Sequence, residues 1–231
     1  MNPIELQEVT VVRGGFTLDI PRLEIEPGTV VGLVGRNGAG KTTLLETLVG
    51  LLAPSRGTVR VLGLDPIDDL VAVRQRTALM TDDMPIFSMR AGTLLRSLAP
   101  FYPTWDGALA ADLLRRFEID PRHAVGEMSK GEGTRIRLVV SLAFRPAVLL
   151  LDEPATGLDV PSRRRMLGEV LEVVKDPQRT VVISSHQVHD IERIADRIVL
   201  LDHGRILADG TPAQVCGEGR TLEDVLAGAA Q

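Results

Sequence analysis

The sequence has little cysteine and no long apolar run. Its single cysteine, Cys216, has no partner for an internal disulfide, which is typical of a protein kept in a reducing compartment. No stretch reaches the roughly 18–20 uncharged apolar residues that a transmembrane helix needs. The first residues, 1–5, contain no basic stretch followed by an apolar block, so they do not resemble a signal peptide. These absences favour a soluble, cytoplasmic protein.

A strong net charge and internal repeats are also absent. The formal net charge is −5, from 26 basic and 31 acidic side chains, which argues against a general nucleic-acid partner. With 231 residues, 44% of them hydrophobic, the chain is long enough to bury a sizeable core in one large domain. Composition therefore indicates a globular protein, and its activity must be inferred from the sequence motifs.

Short β-branched runs alternate with helical patterns along much of the chain. Continuous apolar strands are predicted at 30–34, 148–151 and 180–184, and helices at 41–52 and 161–175. Continuous apolar strands are typical of strands covered on both faces. Because strands alternate with helices, we predict an α/β fold with a mostly parallel sheet.

The middle of the chain has a different pattern. Three helices and little strand signal are predicted there: 91–98, 107–118 and 130–144. We therefore predict a helical lobe, 84–145, inserted into an α/β core formed by 1–83 and 146–231. The first 30 or so residues and the segment 197–210 have short strand patterns with turns, which predict a flanking antiparallel sheet.

The most specific motif is a glycine-rich loop. Residues 35–43, Gly-Arg-Asn-Gly-Ala-Gly-Lys-Thr-Thr, match G-x-x-x-x-G-K-[ST] between a predicted strand and a predicted helix. Glycines let the backbone approach phosphates, and free N–H groups at the helix start favour anions. Lys41 adds a charge for the β- and γ-phosphates, and the Thr42 hydroxyl is placed to bind Mg²⁺. The nucleotide-binding residues are predicted to be Gly35, Asn37, Gly38, Ala39, Gly40, Lys41, Thr42 and Thr43.

Two further strands end in polar residues. The strand at 148–151 is followed by Asp152, which could hold Mg²⁺, and by Glu153, placed to polarise an attacking water. The alternative is an exposed acidic turn, and the glycine-rich phosphate loop upstream, residues 35–43, disfavours it. The strand at 180–184 leads to His186, which could hydrogen-bond the γ-phosphate or could be a surface histidine.

The order of the motifs resembles the ATP-binding subunit of ABC transporters. After the phosphate loop come Met-Ser-Lys-Gly-Glu at 128–132, Leu-Asp-Glu-Pro at 151–154, Gly-Leu-Asp at 157–159 and Ser-Ser-His at 184–186. The resemblance covers nearly the whole chain. It implies a P-loop NTPase core with an antiparallel β-subdomain and a helical subdomain, and ATP hydrolysis that powers transport through separate transmembrane permease subunits. Such a subunit lies peripherally on the cytoplasmic face of the membrane.

Residues 128–132 resemble the family signature, usually written LSGGQ. They begin a predicted helix, so backbone N–H groups and the Ser129 hydroxyl can bind a phosphate. The resemblance implies that Ser129 and Gly131 contact the γ-phosphate held by a second ATPase subunit, in a head-to-tail homodimer or heterodimer. Lys130 and Glu132 replace the usual glycine and glutamine.

Two other positions depart from the family. A glutamine is expected at the core–lobe junction, where this chain has Asp82, which could bind Mg²⁺ or water but cannot donate a hydrogen bond when ionised. Gln75 lies too early to replace it. In the family, an aromatic residue from the N-terminal region usually stacks on adenine. Arg13 and Phe16 are nearest, and Arg13 could stack through its guanidinium plane.

Residues 101–106, Phe-Tyr-Pro-Thr-Trp-Asp, together with the lysine in the signature and the acidic core–lobe junction, resemble a subgroup of bacterial exporter-type ATPases. In the family, a short helix of the membrane subunit docks beside the core–lobe junction, here 82–89. Apolar side chains that could receive it are Met84, Ile86, Phe87, Met89, Phe101, Tyr102 and Trp105. They could instead fill the core of the lobe, which we expect for Phe87 and Phe101.

A soluble ABC ATPase without a membrane partner, for example in cofactor assembly, is the alternative function. The ribosomal type carries two cassettes and a charged linker, and the DNA type carries long coiled coils, none of which the sequence contains. An Asn-Lys-x-Asp base reader, which a GTPase would need, is absent as well. The transported substrate and the direction of transport stay open, because the membrane subunits choose the substrate.

Overall fold

Two sheets and nine α-helices form the part of the chain that the computed structural model describes: 1–81, 87–156, 158–174, 176–185, 188–217 and 219–228. The strands are β1 (Ile4–Arg13), β2 (Phe16–Ile25), β3 (Val30–Val34), β4 (Arg56–Val61), β5 (Thr77–Met80), β6 (Val148–Asp152), β7 (Thr180–Ser185), β8 (Arg197–Asp202) and β9 (Arg205–Gly210). The helices are α1 (Lys41–Leu48), α2 (Leu70–Arg74), α3 (Ala91–Leu98), α4 (Gly107–Arg116), α5 (Lys130–Ala143), α6 (Val160–Val174), α7 (Val188–Ile194), α8 (Pro212–Cys216) and α9 (Leu222–Gly228).

The larger sheet has six strands in the order β5-β6-β7-β3-β8-β9. All neighbours are parallel except β8 and β9, so the prediction of a mostly parallel α/β fold is confirmed. Every residue of β3, β6 and β7 is buried, as expected of strands covered on both faces. The carboxyl ends of these three adjacent strands lie at one edge of the sheet.

The smaller sheet is antiparallel, with the order β2-β1-β4. The prediction that 197–210 belongs to this sheet is wrong, since β8 and β9 extend the larger sheet instead. The four central residues of β8 are buried, so this strand needs cover on both faces, and its place beside β3 provides it. The third antiparallel strand is β4, which alternates only weakly and was not predicted.

Helix α1 begins at Lys41 as predicted but ends at Leu48, four residues earlier than the predicted limit of 52. Gly50 ends it, because its φ of 67° is left-handed and a Cβ there would lie 2.0 Å from the carbonyl oxygen of Pro66. The left-handed backbone at Gly50 ends the helix and lets the chain continue towards β4.

Helices α3, α4 and α5 lie between β5 and β6 in the chain, where the helical lobe was predicted. Asp106 is the N-cap of α4 and also binds Arg145, which follows α5. The Tyr102 ring stacks on Phe144 with centroids 4.1 Å apart, and so packs the segment between α3 and α4 against the C-terminal end of α5. Within the described ranges, no helix has the length and apolar character needed to cross a membrane.

Candidate nucleotide site

The phosphate loop joins β3 to α1 and is shaped by its own lysine. The Lys41 side chain is only 7% exposed, and its Nζ donates to the carbonyl oxygen of Gly35 at 2.7 Å. Gly40 has a φ of 107°, and a Cβ there would lie 2.8 Å from the Phe16 ring. The left-handed backbone and the close ring explain why glycine precedes the lysine. The loop is therefore already curved around its ammonium group.

Two hydroxyl groups hold the carboxylate of Asp152. Thr42 Oγ1, from the start of α1, donates to Asp152 Oδ2 at 2.5 Å, and Ser184 Oγ, from β7, donates to Oδ1. Asp152 is 8% exposed and Ser184 is fully buried. Residues 110 positions apart are thus joined by one side-chain contact. The parallel alignment of β3, β6 and β7 brings these three groups to the same edge of the sheet.

Glu153 lies one residue beyond β6, with a φ of 49° that turns it out of the strand direction. Its backbone N–H donates to Ser184 Oγ at 3.0 Å and to the Ser184 carbonyl oxygen at 3.2 Å. Its carboxylate oxygen Oε1 lies 3.7 Å from Lys41 Nζ, and the side chain is 24% exposed. The carboxylate therefore faces the Lys41 ammonium group from a position that solvent can reach.

These groups surround one open cavity of about 370 Å³. Its lining comprises Arg13, Phe16, Arg36, Asn37, Gly38, Ala39, Gly40, Lys41, Thr42, Thr43, Asp152 and Glu153. Gly35 lies behind the loop, where its carbonyl oxygen accepts from Lys41. Most of the predicted nucleotide-binding residues thus meet at a single place.

Other predicted site residues lie elsewhere. Ser129 and Gly131 are at the start of α5 and do not line this cavity within one chain. Asp82 and His186 are outside the described residues, so their predicted roles stay predictions. Asp159 is the N-cap of α6, where its carboxylate accepts from the Ser162 N–H at 3.0 Å, and hydrogen bonds from Ser162 lower its pKa.

The two candidates for contact with adenine lie side by side at the mouth of the cavity. Arg13 pairs with Glu46 of α1 at 2.5 Å, which fixes its guanidinium beside the loop. Phe16 packs against Gly40. Because Arg13 already has a carboxylate partner, Phe16 offers the free apolar ring face, and both remain candidates.

Sequence reasoning missed Ser184 and Glu46. The strand that carries Ser184 is apolar from Val181 to Ile183 and ends in two serines, and that polar ending was the available signal. Glu46 follows Lys41 by five residues, and no sequence pattern links it to Arg13. Its contact depends on how β1 packs beside α1.

Of the seven apolar side chains proposed for docking, Phe87 and Phe101 are 49% and 67% exposed, so the expectation that they are buried is wrong. Phe101 ends the short 3₁₀ helix that follows α3, and its carbonyl oxygen accepts a hydrogen bond from the Gln75 side chain at 3.0 Å. Met89, Tyr102 and Trp105 pack partly against the core, and Met84 and Ile86 lie outside the described residues. Gln75 is therefore engaged away from the nucleotide cavity.

The cavity offers few metal ligands of its own. Among the described residues, no group of three or more His, Cys, Asp or Glu side chains could hold an ion. Thr42 and Asp152 nevertheless present hard oxygen donors at one point. This donor set fits Mg²⁺, which usually binds one or two protein oxygens together with water and phosphate.

The chain is similar to many characterised proteins. Residues 18–156 match the family model described as "ABC transporter". The chain is 34% identical to the ABC transporter ATP-binding protein YtrB of Bacillus subtilis, over 86% of this chain and 68% of the relative. It is 35% identical to the daunorubicin resistance ATP-binding protein DrrA3 of Streptomyces coeruleorubidus, over 93% and 70%.

Similarity in fold agrees with similarity in sequence. A solved structure of an ATP-binding subunit of an ABC transporter superposes with a TM-score of 0.89, at 24% identity and with 99% of each chain covered. At that identity the match supports the fold alone. Together with the family match and the curated relatives, the phosphate loop and its two carboxylates show that the chain belongs to the ABC transporter family, as an ATP-binding subunit whose ATP hydrolysis powers transport.

Proposed function

We propose that one composite site, built on the phosphate loop and the carboxyl end of β6, binds Mg²⁺-ATP and hydrolyses it with Glu153 as the general base. The observation that carries this proposal is the cavity in which Thr42 contacts Asp152 at 2.5 Å and Glu153 lies 3.7 Å from Lys41. The cavity thus combines an anion-binding loop, oxygen donors for a cation and a carboxylate that can take a proton.

Each of these residues has a distinct task. The loop N–H groups and Lys41 bind the phosphates, for which Nζ must exchange the Gly35 carbonyl oxygen for phosphate oxygens. Thr42 and Asp152 would hold Mg²⁺, which supplies charge neutralisation at the β- and γ-phosphates when bound. Glu153 orients the attacking water and accepts its proton, while Ser184 fixes the Glu153 backbone. His186 and Asp82 are proposed to assist at the γ-phosphate and the metal.

The second half of each site is proposed to come from another ATPase chain. Ser129 and Gly131 begin α5 but do not line the cavity of their own chain, so they can complete a site only on a partner. A head-to-tail pair, either two copies or this chain with a different ATPase, would place one helix start against each γ-phosphate. Asp159 would then lie between the two sites.

We further propose that transmembrane permease subunits dock on the lobe side of this chain, at the cytoplasmic face of the membrane. A second cavity, of about 390 Å³, lies between the sheet and the lobe and is lined partly by Leu51, Arg74 and Tyr102. Phe87 and Phe101 add exposed apolar surface to the lobe. A structural relative, cbiO1 of Clostridium perfringens, is described as part of the transporter complex cbiONQ.

The relative DrrA3 is named for daunorubicin resistance, and this name agrees with the exporter-type role that we propose for this chain. The energy-coupling factor transporter ATP-binding protein EcfA2 of Caldanaerobacter subterraneus is also similar, at 31% identity over 96% of this chain and 84% of the relative. YtrB, EcfA2 and cbiO1 are named for transport, and no observation favours the soluble alternative. The direction of transport therefore rests on the exporter-type resemblance alone.

The change Glu153→Gln tests the assignment. It keeps the shape of the side chain but removes the proton acceptor, so ATP binding should persist while hydrolysis falls by about 10²-fold or more. ATP should then accumulate in the site and hold two chains together. Phosphate release and ATP affinity would be measured on purified protein, with sedimentation to detect the two-chain species.

The control is Glu118→Gln, which removes the same charge from an exposed lobe residue. It should hydrolyse ATP at the rate of the unaltered protein. Hydrolysis near the normal rate in Glu153→Gln would show that another group takes the proton.

A further inference from the structure

The start of helix α5 is occupied by a carboxylate of its own chain. Ser129, the N-cap of this helix, donates both its backbone N–H, at 2.9 Å, and its hydroxyl, at 2.7 Å, to one oxygen of Glu132. In return, the Glu132 N–H donates to Ser129 Oγ at 3.3 Å. A hydroxyl group has one proton, and Ser129 has committed it to Glu132.

The carboxylate carries a full charge at neutral pH. The two hydrogen bonds from Ser129 are the main cause that lowers the pKa of Glu132, with smaller contributions from His123 and Arg135. The second oxygen, Oε1, lies 3.7 Å from His123 Nδ1, and the side chain is 27% exposed. A negative charge therefore lies where the helix start and the serine would otherwise attract an anion.

The helix does not need this charge for its cap. A glutamine at the third helical position forms the same reciprocal capping pair with a serine, because its amide oxygen accepts the same hydrogen bonds. The carboxylate adds two properties that glutamine lacks. It binds the serine donors more strongly, as charged acceptors do, and it repels a phosphate that approaches them.

We propose that Glu132 is an intramolecular competitor for the phosphate-binding donors of Ser129, and that it raises the ATP concentration at which two chains pair. Glu132 acts on the half of the site that Ser129 and Gly131 would contribute to a second chain, so this inference rests on the proposed pairing of two chains. For the γ-phosphate of the partner to bind, the Glu132 carboxylate must leave Ser129. Pairing is thereby restrained until ATP is bound firmly on the opposite chain.

The test compares ATP-driven pairing of two chains with and without the negative charge of Glu132. In the Glu153→Gln background, which hydrolyses ATP slowly, sedimentation would give the ATP concentration for half-maximal pairing. We expect Glu132→Gln to lower that concentration by about tenfold, as the loss of roughly one charge-assisted hydrogen bond predicts. ATP affinity of the single chain should stay within about twofold, because Glu132 does not line the cavity of its own chain.

Glu118→Gln is the matched control, since it removes one negative charge from the same lobe without touching Ser129. It should leave the pairing concentration unchanged, and thermal unfolding should confirm that each variant is folded. The Glu153→Gln protein is the parent of these variants. If it pairs, and adding Glu132→Gln does not lower the ATP concentration for half-maximal pairing, the competitor role is overturned while the proposed pairing stands. If the parent binds ATP but stays a single chain at saturating ATP, both the pairing of two copies and this inference are overturned.

Discussion

At the scale of single residues, the site depends on hydroxyl groups as much as on charges. Ser184 gives its proton to Asp152 and accepts the backbone N–H of Glu153, so one buried oxygen holds both carboxylate residues. Its position in β7, between the strands that carry the phosphate loop and Asp152, makes these contacts possible. Ser184 is therefore a positioning residue that never needs to touch ATP.

The change Ser184→Ala should slow hydrolysis more than it weakens binding. Without the hydroxyl, Asp152 loses one donor and Glu153 keeps only the longer backbone contact of 3.2 Å. We expect kcat to fall by about tenfold and ATP affinity to change by less than about threefold. The lost buried hydrogen bonds should also cost about 1–3 kcal/mol of unfolding free energy.

Thr180→Val is the matched control for this prediction. Thr180 is a buried residue of the same strand, and its hydroxyl donates to the Glu26 carbonyl oxygen at 3.3 Å, at the end of β7 away from the site. It should lower stability comparably and leave kcat unchanged. Equal kcat values in the two variants would show that Ser184 acts only through the stability of the sheet. Urea unfolding and steady-state ATPase assays measure both quantities.

The motif residues of the cavity could be predicted from the sequence because each has a fixed spacing. Lys41 and Thr42 belong to one loop, and Asp152 and Glu153 end one apolar strand. Ser184 could not be found in this way, because its partners Asp152 and Glu153 lie 32 and 31 residues earlier in the chain and meet it only through the parallel register. The register itself is set by packing on both faces, which one sequence does not reveal.

At the scale of secondary structure, buried parallel strands were easier to predict than edge strands. β3, β6 and β7 are continuous apolar runs, and each was found within one residue of its observed end. β4 was missed because only two of its six residues are buried. β8 and β9 were recognised as strands but placed in the wrong sheet, since a strand pattern does not identify its neighbour.

Helix α4 is stabilised by its N-cap residue, Asp106, which also joins the start of this helix to Arg145 after α5. Asp106 accepts the Leu109 N–H at 2.8 Å and binds the Arg145 guanidinium at 2.7 Å. The change Asp106→Ala should lower the Tm by about 2–4 °C, because both contacts are lost. Asp106→Asn is the control that keeps the capping acceptor, and it should recover most of the loss in calorimetry.

The same contact should depend on pH. The hydrogen bond from Leu109, followed by that from Arg145, lowers the pKa of Asp106 in the folded protein. Its stabilising contribution is therefore complete above the usual aspartate pKa of about 3.9 and is lost as the pH falls through the lower folded value. The Tm difference between Asp106→Ala and the unaltered protein should shrink in that acid range. A difference that stays constant down to the acid limit would contradict a charged cap.

At the scale of the whole molecule, exposed apolar surface on the lobe should determine coupling to the membrane subunits. Phe101→Ser removes a ring that is 67% exposed, so it should leave basal hydrolysis within about twofold. Association with the permease should weaken by about tenfold or more if the ring is an interface anchor. Copurification of the full complex and its ATPase rate would measure the two effects.

Leu207→Ser is the matched control, because Leu207 is 53% exposed on β9, at the opposite edge of the larger sheet. It should alter neither association nor hydrolysis. Loss of basal hydrolysis in Phe101→Ser would mean that the ring supports the fold. Unchanged association would place the docking surface elsewhere on the lobe.

The strand order also fixes when the protein can acquire its site during synthesis. β3 is made early, yet its two neighbours, β7 and β8, begin at Thr180 and Arg197. A growing chain can close the antiparallel sheet once Val61 has been made, but β3 must wait until β7 and β8 have been made. Until then Val30–Val34 is an apolar strand with two unpaired edges, which is the kind of segment that pairs with wrong partners. The complete nucleotide site joins Thr42 to Asp152 and Ser184, so it forms only after residue 184 has been made, and nucleotide bound there cannot protect β3 before that point.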